Sequence, residues 1–189
     1  MRLKSLFFIV FCFTITAVMG QKYGSVSTVE VESVWDGVTF SSNKTIQENI
    51  AEAPKLSIIA NVVSEKDFFS EHEKQEMTTI FIPMDSAFQS MSKKKRKALL
   101  SNTAKLSAMV QFLSIPGRVD LNSLITAIDK NNGLAYFTTL SGDTIGAKMI
   151  GSSVVLFDSE KDIAKMTASN FSHKNGFFHI IDGLVHPPE

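Results

Sequence analysis

The sequence predicts an α+β domain, with helices in the N-terminal half and β meanders in the C-terminal half. Three observations lead there. Between Thr45 and Ile128 the apolar residues recur at three- and four-residue spacing, the mark of helices with one buried face. From Leu134 onward the pattern changes to short β-branched and aromatic runs separated by Gly-, Ser- and Asp-containing turns. No repeat and no low-complexity linker divides the two halves, so they share one core.

Residues 21–36 are polar and β-branched, with Val29 and Val31 alternating against Glu30 and Glu32, and predict an extended arm or an edge strand. A helix opens near Thr45, which stands at capping-box spacing from Glu48. Ile46 and Ile50 share its apolar face, and Pro54 closes it. A second helix runs from about Leu56, with Ile59, Val62 and Val63 as its stripe and Phe68 and Phe69 packed at its end. Thr78–Ile82 is a buried strand stopped by Pro83. Asp85 is placed to cap a short helix through Phe88. Ser92 caps a helix holding Leu99 and Leu100, and Asn102 caps a third with Leu106, Met109 and Val110. Phe112–Ile115 is strand-like, Pro116-Gly117 is a turn signal, and Leu121, Leu124, Ile125 and Ile128 have helical spacing. Strands follow over 134–140, 144–150, 153–157, 162–166 and 177–185.

The first twenty residues have the three parts of an export signal. Arg2 and Lys4 form a basic start, Leu6–Phe11 an apolar middle, and Val18-Met19-Gly20 a small-residue end before Gln21. The apolar part is short for a spanning helix, which needs about 20 mostly apolar residues. The expected partition is therefore a signal peptide over 1–20, an arm over 21–36 and a domain over 37–188. The mature chain is expected outside the cytoplasm, extracellular, at the cell surface or periplasmic, with no membrane span after cleavage. The single cysteine, Cys12, lies in the signal, so the mature chain has no disulfide framework. Loss of Arg2 and Lys4 leaves 17 basic against 19 acidic residues, which argues against a nucleic-acid partner. The 15 Phe, set against one Trp and two Tyr, supply an apolar core.

Catalytic and metal signatures are missing from the sequence. His173, His179 and His186 are six and seven residues apart, which does not gather them on one strand face. His72-Glu73-Lys74-Gln75-Glu76 lacks the second His of a zinc-protease helix, and no nucleophile elbow or phosphate-cradling glycine loop occurs. Lys93-Lys94-Lys95-Arg96-Lys97 sits at a helix start, where cations oppose the macrodipole. It serves either as a solvated face or as a polyanion contact. Asn43-Lys44-Thr45 and Asn170-Phe171-Ser172 fit the glycosylation sequon.

Two segments carry a family pattern. They are Thr79–Phe88, TIFIPMDSAF, and Asn175–Pro188, NGFFHIIDGLVHPP. The first resembles the T-x-F-x-P-x-D-x-A-F signature of the fasciclin domain family, on Thr79, Phe81, Pro83, Asp85, Ala87 and Phe88. The second resembles its N-G-x-x-H-x-I-D ending, on Asn175, Gly176, His179, Ile181 and Asp182. The resemblance extends to Gly37–Glu52 and covers nearly the whole mature chain. It implies a wedge-shaped β-sandwich decorated with helices. It also implies an adhesion role against a surface protein or glycan, without catalysis or a required cofactor. A carrier of a small apolar ligand, such as a carotenoid or lipid, is the alternative it implies. In animal members an Asp-Ile pair before the second motif is linked to integrin binding, and Asp162-Ile163 match it. Phe112 and Leu113 stand where the associated Tyr-His would be. Ala164–Lys174 is expected to be a chain-specific loop where binding could lie. His179 is expected to hydrogen-bond near Asp85 and tie the two motifs together.

Overall fold

The computed structural model describes residues 29–64 and 77–188. The expected signal peptide, the first part of the expected arm, Phe68, Phe69 and His72 lie outside the described residues.

An antiparallel hairpin, β1 (Glu32–Trp35) and β2 (Val38–Ser41), opens the described chain. Two short helices follow, α1 (Ile46–Ala51) and α2 (Ser57–Val63), with a 3-10 turn over Pro54–Leu56 between them. The capping box read from Thr45 and Glu48 is present at α1. Asn49, on the same helix, is buried. Its amide donates to the carbonyls of Ser41, Lys44 and Thr45 and accepts from Ser41 N–H, so it fastens the hairpin to α1. Strand β3 (Thr78–Pro83) is buried along its length, and Asp85–Ser90 is a 3-10 stretch. Then come α3 (Lys93–Leu100), capped by Ser92, and α4 (Thr103–Phe112), capped by Asn102. Next are β4 (Ser114–Pro116) and α5 (Leu121–Lys130). The remaining strands are β5 (Leu134–Thr138), β6 (Thr144–Ile150), β7 (Ser153–Phe157), β8 (Ile163–His173) and β9 (Gly176–Ile181).

Seven strands form one sheet in the order β4-β3-β9-β8-β7-β6-β5. Among the described residues only β3 and β9 pair in parallel; every other pair in this sheet is antiparallel. The sheet folds over at β8. Its first residues pair with β7 and the rest with β9, and bulges fall between Met166 and Ala168 and between Ala168 and Phe171. Bulges bend a strand and raise its twist, which lets one strand serve two leaves. The far edges meet again where Leu140 N–H donates to Ser114 O at 2.8 Å. The result is a sandwich close to a barrel, with α1, α2, α4 and α5 contributing to the core. Ile46, Ile50, Ile59, Leu106, Met109, Leu124 and Ile128 meet the inner strand residues there. Phe40, Phe171 and Phe178 pack edge and tilt at 5.0–5.2 Å between ring centres and tie the hairpin to the sheet.

The α+β class holds, with several corrections to the elements. Phe112 and Leu113 end α4 instead of starting a strand, because the Met109–Phe112 face is buried. The last strand stops at Ile181, where Asp182 turns its side chain back to β8. The stretch Ala164–Lys174, expected as a loop, is mostly strand β8: its apolar residues alternate inward as Ala164 and Met166, then Phe171 after the bulge.

Candidate functional site

The two signature segments meet along the parallel β3–β9 seam, in the register Thr79↔Phe177, Phe81↔His179 and Pro83↔Ile181. Phe81, Ala87, Phe88 and Ile181 are buried in the core. Thr79 is buried too; its hydroxyl donates to Gly117 O at 2.7 Å and accepts from Val119 N–H at 2.8 Å. Asn175 O accepts from Thr78 N–H at 2.8 Å. Gly176 follows at φ +151°, and a Cβ there would stand 2.0 Å from Thr78 O, so no side chain fits. Asp182 closes the seam by accepting from Lys165 N–H at 2.9 Å.

Asp85 and His179 do not bond to each other. The Asp85 carboxylate accepts from Ser57 N–H, Ser57 O–H and Ile58 N–H, so it caps α2, a helix 27 residues earlier, instead of its own. His179 is fully buried and lies against Phe81 with ring centres 5.6 Å apart. Its Nε2–H donates to Val119 O at 2.9 Å, and Nδ1 accepts from Asn170 N–H at 3.2 Å. His173 repeats the arrangement: Nε2–H donates to Thr78 O and Nδ1 accepts from Asn175 N–H, each at 3.3 Å. Burial pulls both imidazoles from 6.5 down to about 4, so both are neutral in the folded protein at neutral pH. The seam spends its polar groups on holding itself together. Among the described residues no three His, Cys, Asp or Glu are grouped to hold a metal ion.

The polar groups left over gather where β7 turns into β8. Asp158 is 5 % exposed. Its Oδ1 accepts from Glu160 N–H at 2.9 Å and Asp162 N–H at 3.0 Å, and Oδ2 accepts from His186 N–H at 2.9 Å. One carboxylate thus fixes the bend and the C-terminal segment together. Within the bend Lys161 adopts φ +72°. Asp162 and Ile163 are both exposed, but they face different surfaces. Asp162 lines a cleft of ≈ 660 Å³ between the bend, the C-terminal segment and helices α3 and α4. Ile163 starts β8 on the outer face of the sheet, opposite Phe157.

The cleft has Glu160 and Asp162 on one side and Lys95 and Lys105 on the other, over Leu99, Met109 and Pro187. The ion pairs among the described residues are Lys44–Glu52 and Lys55–Asp36, neither of which involves a cleft residue. The basic run therefore contributes Lys95 to this cleft, while Lys93, Lys94 and Lys97 lie exposed on α3 and Arg96 is half-buried. Asp158 is not among the candidate residues of the sequence; it lies in the turn between the runs 153–157 and 162–166. The signal that marks it is the Asp-Ser-x turn pattern itself, in which a carboxylate takes the N–H groups that follow it. Asn43 and Asn170 are exposed, and Asn170 Oδ1 accepts from Leu121 N–H at 2.7 Å.

The chain is thus a helix-decorated sandwich with a sealed motif seam and a charged cleft at its rim. The chain belongs to the fasciclin domain family, whose model matches residues 54–187. Fasciclin domains occur in extracellular or cell-surface proteins and are generally binding or adhesion modules. Among solved structures the chain is similar to a FAS1 domain pair from the insect cell adhesion molecule Fasciclin I. That match has a TM-score of 0.57 and 19 % identity, and covers 72 % of this chain and 47 % of that chain. This chain thus spans about half of that structure, and the likeness is one of fold. A search of the curated proteins finds no match. No helix among the described residues is long and apolar enough to cross a membrane.

Proposed function

We propose that this protein is exported and acts as a non-catalytic adhesion module that contacts a surface protein or glycan. The observation that carries the reading is the Asp158–Ile163 bend. It presents exposed Asp162 at a cleft whose charges have no ion-pair partner among the described residues, on a fold whose signature motifs are occupied with internal bonding. Asp162 is the recognition carboxylate, Lys95 is the complementary cation across the cleft, and Asp158 sets their geometry.

The test expresses the full chain with its own leader and sequences the N-terminus of the exported product, which should begin at Gln21. The product is then immobilised and challenged with surface extract from the native source. Asp162→Ala is expected to lower retention several-fold with an unchanged melting temperature. Retention in the cell with an intact leader, or equal capture by the variant, overturns the reading. Pigment or lipid that co-purifies stoichiometrically would instead support the apolar carrier.

A further inference from the structure

The outer face of β5–β8 carries a pattern that the fold does not require. Four strands in register place Leu134, Lys148, Val155 and Lys165 in one row across the sheet. The next row reads Tyr136, Gly146, Phe157 and Ile163. Strand spacing of about 4.8 Å puts the two lysines, two strands apart, roughly 10 Å from each other. The neighbouring row is aromatic and apolar: Tyr136 is 62 % and Ile163 53 % exposed.

This surface is preformed. The Phe157 ring lies over Gly146, where a Cβ would come within 2.2 Å of it. Tyr136 packs edge-on against that ring at 5.7 Å, and Lys148 Nζ lies 5.3 Å from its centre. Val155 is buried on this outer side, away from the main core, beneath the row of longer side chains. The remaining outward positions on these strands are Thr138, Thr144, Ile150, Ser153 and Thr167, so the face carries two cations and no acid. Asp182, bonded to Lys165 N–H, stands at its margin.

We infer that the outer face of β5–β8 binds a linear anionic polysaccharide laid across the strands, with a sugar ring on Tyr136 and acidic groups on Lys148 and Lys165. The C–H faces of sugar rings suit an apolar aromatic row. Cations two strands apart match a chain that carries one carboxylate on every second sugar. This deepens the adhesion reading and rests on it, while using a different surface from the Asp162 cleft.

The test measures binding of the full exported chain to hyaluronan oligosaccharides, with a neutral chitin oligosaccharide for comparison, by calorimetry at low and physiological salt. Binding to hyaluronan, weakened by salt, is expected, with at least tenfold weaker binding of the neutral chain. Lys148→Gln with Lys165→Gln should lose at least tenfold, and Tyr136→Ser about fivefold, with unchanged melting temperatures. Asp162→Ala should bind the oligosaccharide normally, which separates this surface from the cleft. Equal binding of the neutral chain, no binding at low salt, or a loss confined to a Lys93→Gln, Lys94→Gln, Lys97→Gln variant overturns the proposal. Retained capture of surface extract in those cases leaves the adhesion reading standing.

Discussion

The β3–β9 seam and the outer face of β5–β8 are made of similar strands, yet they treat polar groups in opposite ways. In the seam the buried polar side chains of the motifs have protein partners: Thr79 on Gly117 and Val119, and His179 on Val119 and Asn170. On the outer face Lys148 and Lys165 have no ion-pair partner among the described residues, and Tyr136 is largely in solvent. A buried polar group without a partner costs about 1–3 kcal/mol, so the seam must satisfy its own. An exposed group has water and carries no such demand, so its placement is free to serve a ligand. The motif that identifies the family is therefore its scaffold.

The sharpest way to break the contrast is at glycine. Gly176→Ala puts a Cβ 2.0 Å from the Thr78 carbonyl, at φ +151°, where neither backbone can yield without parting β3 from β9. We expect a loss above about 3 kcal/mol, read from the urea midpoint. Gly151→Ala, at φ +61° with nothing within 4 Å, should lose only roughly 1–2 kcal/mol. Equal losses at the two positions would erase the distinction between seam and surface.

Acid should act on the seam next. His173 and His179 have folded values of about 4, below the 6.5 of the unfolded chain. Above pH 6.5 both states are neutral and the contribution to stability is complete. As the pH falls from 6.5 towards 4, the unfolded chain takes up two protons that the folded chain refuses, and stability drops. The loss is roughly 3 kcal/mol for each imidazole and levels off below pH 4, where the folded state protonates as well. Glu48 and Asp120, whose values are lowered by their hydrogen bonds to Thr45 and Ser123, act only below the ordinary carboxylate values of 4.5 and 3.8. Stability measured from pH 7 to 4.5 should fall with a slope approaching two protons. His179→Gln should bring the slope nearer to one, and a flat profile would mean that the imidazoles are not buried neutral.

Local chemistry was legible in the sequence and distant partnership was not. Thr45, Ser92 and Asn102 cap the helices that follow them, because a cap acts within three residues and the spacing shows it. Strands β6 and β7 are bounded by turn residues that can be read directly. Asp85 reads as a cap by the same rule, but its partners are Ser57 and Ile58, brought to it only by the packing of α2 against the 3-10 stretch. His179 likewise bonds to Val119, 60 positions away, a choice that no spacing discloses. The length of β8 was hidden for a different reason. Its two bulges break the period-two alternation, so Thr167–Asn170 reads as loop although Met166, Ala168 and Phe171 continue the ladder with β9.

The smallest predicted effect tests the link between frame and surface. Asp158→Asn keeps the shape of the side chain but leaves one oxygen where there were two. The carboxylate now accepts from Glu160 and Asp162 on one side and from His186 on the other. An amide serves one side and turns an N–H against the N–H groups of the other. If its oxygen stays with the bend, which supplies two donors, the His186 amide loses its acceptor. The cost should be about 1–2 kcal/mol, below that of Gly176→Ala. Hydrogen exchange at His186 should quicken at least tenfold while Phe178, in the seam, keeps its protection. Capture through Asp162 should then weaken only modestly, because the bend itself is retained. The opposite result, a fast Asp162 amide with His186 still protected, would mean that the oxygen turns to the C-terminal segment. The bend would then be the looser partner, and capture through Asp162 should fall as far as in Asp162→Ala.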